Sequence, residues 1–314
     1  MRALSLAPSF SLLVACFVAV ACGDSGSDDT GPGGSSSVSN GSSVSGTGSS
    51  SSSGSGSGSS SSTGYPSCDE PTPIPGAPID VDVSSVQASA RDDANAAIQN
   101  EPFQLCGTDL CLFADSNTIG NVLFMNSQST LDRPLFKPGD SLTYGKFGYL
   151  YTAASPSPLP GIFPRMTDSG MQLAPGGTVS VAGATLTLAA DSGLTIDDLT
   201  YDTPDKQTFR AAQVPEDLVD DVTGSAEFAM AYALGPIDTL LCPEATLVLD
   251  NYAGLPANAA VELWVQEVGI EEYFGGYGEW VKIDDGMVSA DGTTVSTSLG
   301  MPVILNVAIK PVTN

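Results

Sequence analysis

Beyond residue 79, apolar and polar positions mostly alternate in short runs broken by turn residues. Ile79-Asp80-Val81-Asp82-Val83 has the period of two that puts alternate side chains on opposite faces of a strand. Ser84 or Ser85 then supplies a side-chain cap, and the spacing predicts a short helix running to about residue 100. After that, strands are predicted at 119–125, 142–151, 179–181, 184–189, 227–234, 245–249, 261–265 and 303–309. Val261, Leu263 and Val265 share one face, as do Val303, Leu305, Val307 and Ile309. Turns are expected at Pro175-Gly176-Gly177, Gly235-Pro236, Asp285-Gly286 and Asp291-Gly292. The stretch 202–224 has weak periodicity and reads as a loop or short helical turn over the core. Together these predict an all-β fold, an antiparallel β-sandwich, one large or two small.

The first 64 residues follow other patterns. An uninterrupted apolar run covers 12–21 behind the positive charge of Arg2. It is too short for a bilayer, which needs about 17–25 residues, but has the length of a signal-peptide core. The run ends in Ala19-Val20-Ala21-Cys22, followed by Gly23-Asp24-Ser25-Gly26. Residues 23–64 are almost entirely Ser and Gly, too polar to offset the entropy of ordering. They are expected to form a disordered tether with a root-mean-square span of roughly 35 Å, reaching about 140 Å when stretched. Prolines 66, 71, 73, 75 and 78 then make an extended lead-in. The expected organisation is a signal peptide at 1–21, a lipidated cysteine and linker at 22–64, a β-rich region with one short helix at 65–171, and a larger β-sandwich region at 172–314.

Composition removes whole classes of function. The formal net charge is −26 and Lys plus Arg total only 10, so nucleic acid is not an expected partner. The chain has no histidine, which excludes Ser-His-Asp and Cys-His catalysis and His-ligated metals. Gly23-Asp24-Ser25-Gly26 copies the letters around a protease serine, but without a histidine it carries no such role. No catalytic residue and no cofactor are expected, apart from a structural calcium. Candidate oxygen ligands for it are Asp80 with Asp82 and the pairs Asp197-Asp198, Asp220-Asp221 and Asp284-Asp285. The bland alternative is solvated turn aspartates.

Four further cysteines, Cys68, Cys106, Cys111 and Cys242, imply two disulfides in an oxidising compartment, with three connectivities open. Cys106 and Cys111 flank Gly107-Thr108-Asp109-Leu110, a stretch able to turn, which leaves Cys68 for Cys242. A four-cysteine metal site is the sharper alternative, but only one close pair exists. Glu271-Glu272 precedes Tyr273, Phe274, Tyr277 and Trp280, and aromatic rings beside carboxylates suit sugar stacking. The alternative is that these rings pack on the end of the sandwich.

Two resemblances follow from these residues. Ala19-Val20-Ala21-Cys22 resembles the lipobox of bacterial lipoproteins, with Ala19 where that family has leucine. The resemblance implies acylation of Cys22, removal of the leader and anchoring in the cell envelope, at the outer membrane or cell surface. Leu13-Val14-Ala15-Cys16 fits the letters better, but cleavage there would strand apolar residues 17–21 on the mature chain. Residues 172–310 resemble ZU5-type β-sandwich domains. The resemblance is carried by Gly176-Gly177-Thr178-Val179, Tyr232-Ala233-Leu234-Gly235-Pro236 and Pro243-Glu244-Ala245-Thr246-Leu247-Val248-Leu249. It implies contact with protein. The self-cleavage known in that family needs a histidine this chain lacks. The expected function is therefore a membrane-anchored lipoprotein presenting a β-sandwich for non-catalytic binding to protein or matrix at the cell surface. The alternative is a carbohydrate-binding module built on the aromatic loop.

Overall fold

The computed structural model describes residues 68–140 and 142–312. The predicted leader, Cys22 and the tether lie outside the described residues. Strands dominate, and most pair antiparallel.

The first seven strands build a small sandwich. They are β1 (Asp80–Arg91), β2 (Pro102–Cys106), β3 (Cys111–Asp115), β4 (Asn121–Asp132), β5 (Leu135–Pro138), β6 (Tyr149–Leu150) and β7 (Leu159–Ile162). One sheet has the order β4-β1-β7, the other β3-β2-β5-β6. β1 and β7 run parallel, a departure from the all-antiparallel expectation. Between the sheets lies a core of rings: Phe103, Phe136 and Phe163 pack with centroids 5.2–5.3 Å apart, and Phe124 meets Phe136 at 6.0 Å. Such pairs add about 0.5–1.5 kcal/mol each beyond the area they bury.

The predicted helix from Ser84 to about residue 100 is instead the second half of β1 and a turn. Val81 and Val83 are buried, the register slips between Val83 and Ser85, and Val86, Ala88 and Ala90 are buried in turn. That one-residue bulge hides the alternation from a simple reading. Pairing with β4 on one side and β7 on the other outweighs the helix preference of alanine. Asp92 closes the following turn, its Oδ1 accepting from the amides of Ala94 and Ala96 at 3.0 and 2.7 Å.

The remaining strands form one 12-stranded sheet. They are β8 (Met171–Gln172), β9 (Thr178–Val181), β10 (Ala184–Thr187), β11 (Gly193–Thr195), β12 (Thr208–Gln213), β13 (Met230–Gly235), β14 (Thr239–Asp250), β15 (Ala260–Gln266), β16 (Trp280–Val288), β17 (Thr294–Thr297), β18 (Met301–Ile304) and β19 (Val307–Pro311). Its path is β8-β12-β13-β19-β15-β16-β17-β14-β10-β9, with β11 and β18 on the first half of β14. The end strands β8 and β9 approach one another, so the sheet is nearly closed. Inside lies an aliphatic core that includes Leu186, Leu234, Leu247, Leu263 and Ile309. A 3₁₀ turn at Glu216–Leu218 and α1 (Val219–Thr223) fall within the stretch read as a loop or helical turn, and bury Val219 and Val222.

Three further expectations change. Of 142–151, only β6 is strand. Gly145 and Gly148 press the backbone onto Ala233 and Leu135, where an added Cβ would come within 2.4 and 2.9 Å of their side chains. Asp285-Gly286 makes no turn but lies inside β16, with Gly286 packed against Leu263. The run 303–309 divides into β18 and β19 around Leu305 and Asn306. Asn306 is fully buried and its Nδ2 donates to the Lys146 carbonyl at 2.8 Å.

Candidate functional site

Both predicted disulfides are present, Cys68–Cys242 and Cys106–Cys111. The first ties the lead-in segment to β14; the second closes the β2–β3 hairpin. From Cys68 the lead-in is stitched down further. The Ile74 amide donates to the Glu272 carbonyl at 2.7 Å, the Gly76 amide to Glu272 Oε1 at 3.0 Å, and the Ile79 amide to Asp132 Oδ1 at 2.7 Å.

At the centre of this strap Arg133 is buried between two carboxylates, 2.6 Å from Glu272 and 3.2 Å from Asp132. Hydrogen bonds from Arg133 hold both carboxyls below the usual range despite the opposing effect of burial. Gly76 and Gly276 face each other beside this guanidinium, and a Cβ on either would strike the other's Cα within 2.8 Å. Glu272 therefore clamps the lead-in segment to Arg133 and the 272–277 loop.

The four candidate sugar-stacking rings are not brought to one surface. Tyr277 is fully buried. Trp280 packs on Phe228 and Phe147 with centroids at 5.2 and 6.4 Å, and its indole N–H donates to the Thr223 carbonyl at 3.0 Å. Phe274 packs against the large core. Tyr273, half-buried, lines a cavity with several carboxylates, and Trp280 lines a separate one with Asp221.

The calcium candidates are also dispersed. Asp80 and Asp82 are exposed on β1, and Asp82 accepts from Thr130 Oγ1 at 2.8 Å. Asp220 and Asp221 sit in the first turn of α1, where an acidic side chain suits the helix dipole. Asp284 is buried, and its Oδ2 accepts the amides of Ser298, Leu299 and Gly300 at 2.7, 2.9 and 3.1 Å. Among the described residues, no group of three Cys, Asp or Glu side chains is placed to hold a metal ion.

A different cluster does converge. Lys137 on β5, Lys146 in the glycine-pinned segment, Asp197 after β11, Asp238 in the β13–β14 turn and Glu271 line one cavity of about 200 Å³. The Cys106–Cys111 pair stands at its wall. A second cavity of about 380 Å³ shares Asp197, Asp238 and Glu271, and adds Glu70, Asp198, Leu240 and Tyr273.

Several contacts fix this arrangement. Gln266 holds both backbone groups of Gly148, accepting from its amide at 2.9 Å and donating to its carbonyl at 2.8 Å. Gly269 lies so close to Asp238 that a Cβ there would be 2.7 Å from the carboxylate. Lys137 is 4% exposed, donates to the Val268 carbonyl at 2.6 Å and lies 4.9 Å from the Tyr277 ring centroid.

The electrostatics of this cluster differ from those of the clamp. Among the described residues, neither Lys137 nor Lys146 reaches a carboxylate at ion-pair distance. Burial, reinforced by Lys146, pulls Lys137 far below the usual lysine range, and burial lowers Lys146 as well. Burial raises Asp238 above the usual carboxylate range. Glu267, directly after β15 and behind the cavity, is pushed up to about 8 by burial and by the Asp238 charge. The buried Tyr277 hydroxyl has no hydrogen-bond partner among the described residues, and burial raises its pKa too.

Reading the sequence for motifs misses Lys137, Lys146, Asp238 and Glu267. A local signal exists for three of them, each a charge inside an apolar run: Leu135-Phe136-Lys137-Pro138, Pro236-Ile237-Asp238-Thr239-Leu240 and Val265-Gln266-Glu267-Val268. Such arrangements can mix ligand charges of both signs, and perturbed groups in a cleft are where binding and chemistry concentrate. No protein-family model, no curated protein and no solved structure matches the chain.

Proposed function

We propose that the chain is a lipid-anchored, extracytoplasmic binding module: acylated at Cys22, held off a bacterial envelope by the Gly/Ser tether, and working by capture of a ligand rather than by catalysis. The observation that carries this reading is the way the lead-in segment joins the fold. A tether delivers its load at one end, and here that end is bonded through Cys68–Cys242 to β14, then clamped through Glu272 and Arg133 before β1 begins. Both disulfides fit an oxidising compartment.

The ZU5-like reading of 172–310 belongs to the same proposal. Its Gly-Gly opening is the turn into β9, and its Gly-Pro joins β13 to β14. The sugar-binding alternative has less support, because Trp280 and Tyr277 are engaged in packing. The anchor is tested by metabolic labelling with palmitate in a bacterial host. The expected result is label in the wild type and none in Cys22→Ala, with the variant lost from the membrane fraction. Undiminished label in Cys22→Ala contradicts the proposal.

A further inference from the structure

The two cavities around Asp238 have charges of opposite sign that do not meet. The inner one has two lysines, neither within ion-pair distance of a carboxylate among the described residues, although three carboxylates line the same space. Oppositely charged side chains free to move together normally do so. Here Lys137 is fixed by the Val268 carbonyl and the Tyr277 ring, Asp238 is confined by Gly269, and Lys146 is set by the close-packed Gly145–Gly148 backbone. Lys137 and Asp238 are thereby held apart. The complement of this arrangement is a small molecule with an anionic and a cationic group a few bonds apart. The outer cavity continues from the shared carboxylates, past Glu70 and Asp198, to Ile196, Leu240 and the ring of Tyr273, which supply its apolar surface.

We infer that this double cavity binds a free α-amino acid with an apolar side chain. The ligand carboxylate meets Lys137 and Lys146, the ammonium meets Asp197, Asp238 and Glu271, and the side chain lies against Leu240 and Tyr273. This rests on the binding-module reading above and names its ligand class. Charge-assisted hydrogen bonds to both ends account for selectivity, because a ligand without its carboxylate leaves the buried Lys137 unpaired and one without its ammonium leaves the half-buried Asp238 unpaired.

Equilibrium dialysis of the full-length, detergent-solubilised protein against radiolabelled L-leucine tests this. Saturable binding is expected. Leucinamide, which lacks the carboxylate, and N-acetyl-leucine, which lacks the ammonium, are each expected to compete at least about tenfold more weakly. Lys146→Met and Asp238→Asn are each expected to weaken leucine binding at least about tenfold with an unchanged near-UV spectrum. Absence of saturable binding, equal competition by both derivatives, or undiminished affinity in both variants overturns the inference. The derivative series uses wild-type protein, so it decides the matter even if a variant fails to fold. Palmitate label measured on the same preparations separates the two proposals. A labelled protein that ignores leucine loses the ligand assignment alone, and an unlabelled protein that binds it loses the anchor alone.

Discussion

Arg133 and Lys137 are four residues apart, the first in the turn before β5 and the second within it, and both are buried at the border between the small sandwich and the large sheet. Their surroundings differ sharply. Arg133 has Asp132 and Glu272 at 3.2 and 2.6 Å, and Glu272 in turn accepts the amides of Gly76 and Tyr277 at 3.0 and 2.9 Å. Lys137 has one carbonyl and one ring, and the charges around it stay out of reach. One cluster is complete and holds the lead-in segment to the fold. The other is unfinished, which costs stability and leaves room for a ligand. Similar burial thus serves opposite ends, and the difference lies in whether the partners are present.

The largest effect on stability is expected at Arg133. Arg133→Ala leaves two carboxylates buried without their cation, and chemical unfolding is expected to show a loss of about 3–5 kcal/mol. A loss below about 1 kcal/mol would remove the clamp from the account.

The next effect depends on pH. Glu267 is faced by Asp238, Glu271 and Lys137, and its folded pKa of about 8 stands above the ordinary 4.5. The folded state therefore holds this proton more tightly than the unfolded chain. Its contribution to stability is fully present below about pH 4.5 and is lost as pH rises to about 8. Glu267→Gln abolishes that loss. Unfolding free energies of variant and wild type, compared at pH 5 and pH 8.5, are expected to show the variant gaining about 4 kcal/mol relative to wild type between the two pH values. Parallel curves would contradict the assignment. The difference curve isolates Glu267 from Lys137, whose lowered pKa gives the opposite slope.

The sequence made the framework legible, and the physical reason is visible in particular strands. β9, β10, β13, β15 and the second half of β14 lie where short strands are expected from the pattern of apolar positions, whereas the first half of β14 is hidden by Pro243-Glu244 within it. Of the three connectivities the sequence left open, the structure has the one in which the closely spaced Cys106 and Cys111 pair with each other. β1 was misread because its bulge shifts the alternation by one residue, and because alanine's local preference opposes the pairing it finds. The segment 142–151 was misread because Gly145 and Gly148 exchange strand pairing for close backbone contact, which no periodicity reports. The charged cleft was illegible as a motif, since its members come from β5, two turns and two loops. What the chain did show was a charge stranded in each of three apolar runs. That pattern marks burial, but it does not reveal whether a partner awaits. Arg133 and Lys137 look alike in sequence, and only their neighbours in space separate them.

That separation is tested most directly by the unfolding free energy of Lys146→Met at neutral pH without ligand. An unfinished cluster loses nothing when one of its unpaired charges is removed, so stability is predicted to stay within about 1 kcal/mol of wild type or to rise. A loss of about 3–5 kcal/mol, equal to that of Arg133→Ala, would show that Lys146 is held in a completed network and would contradict the account.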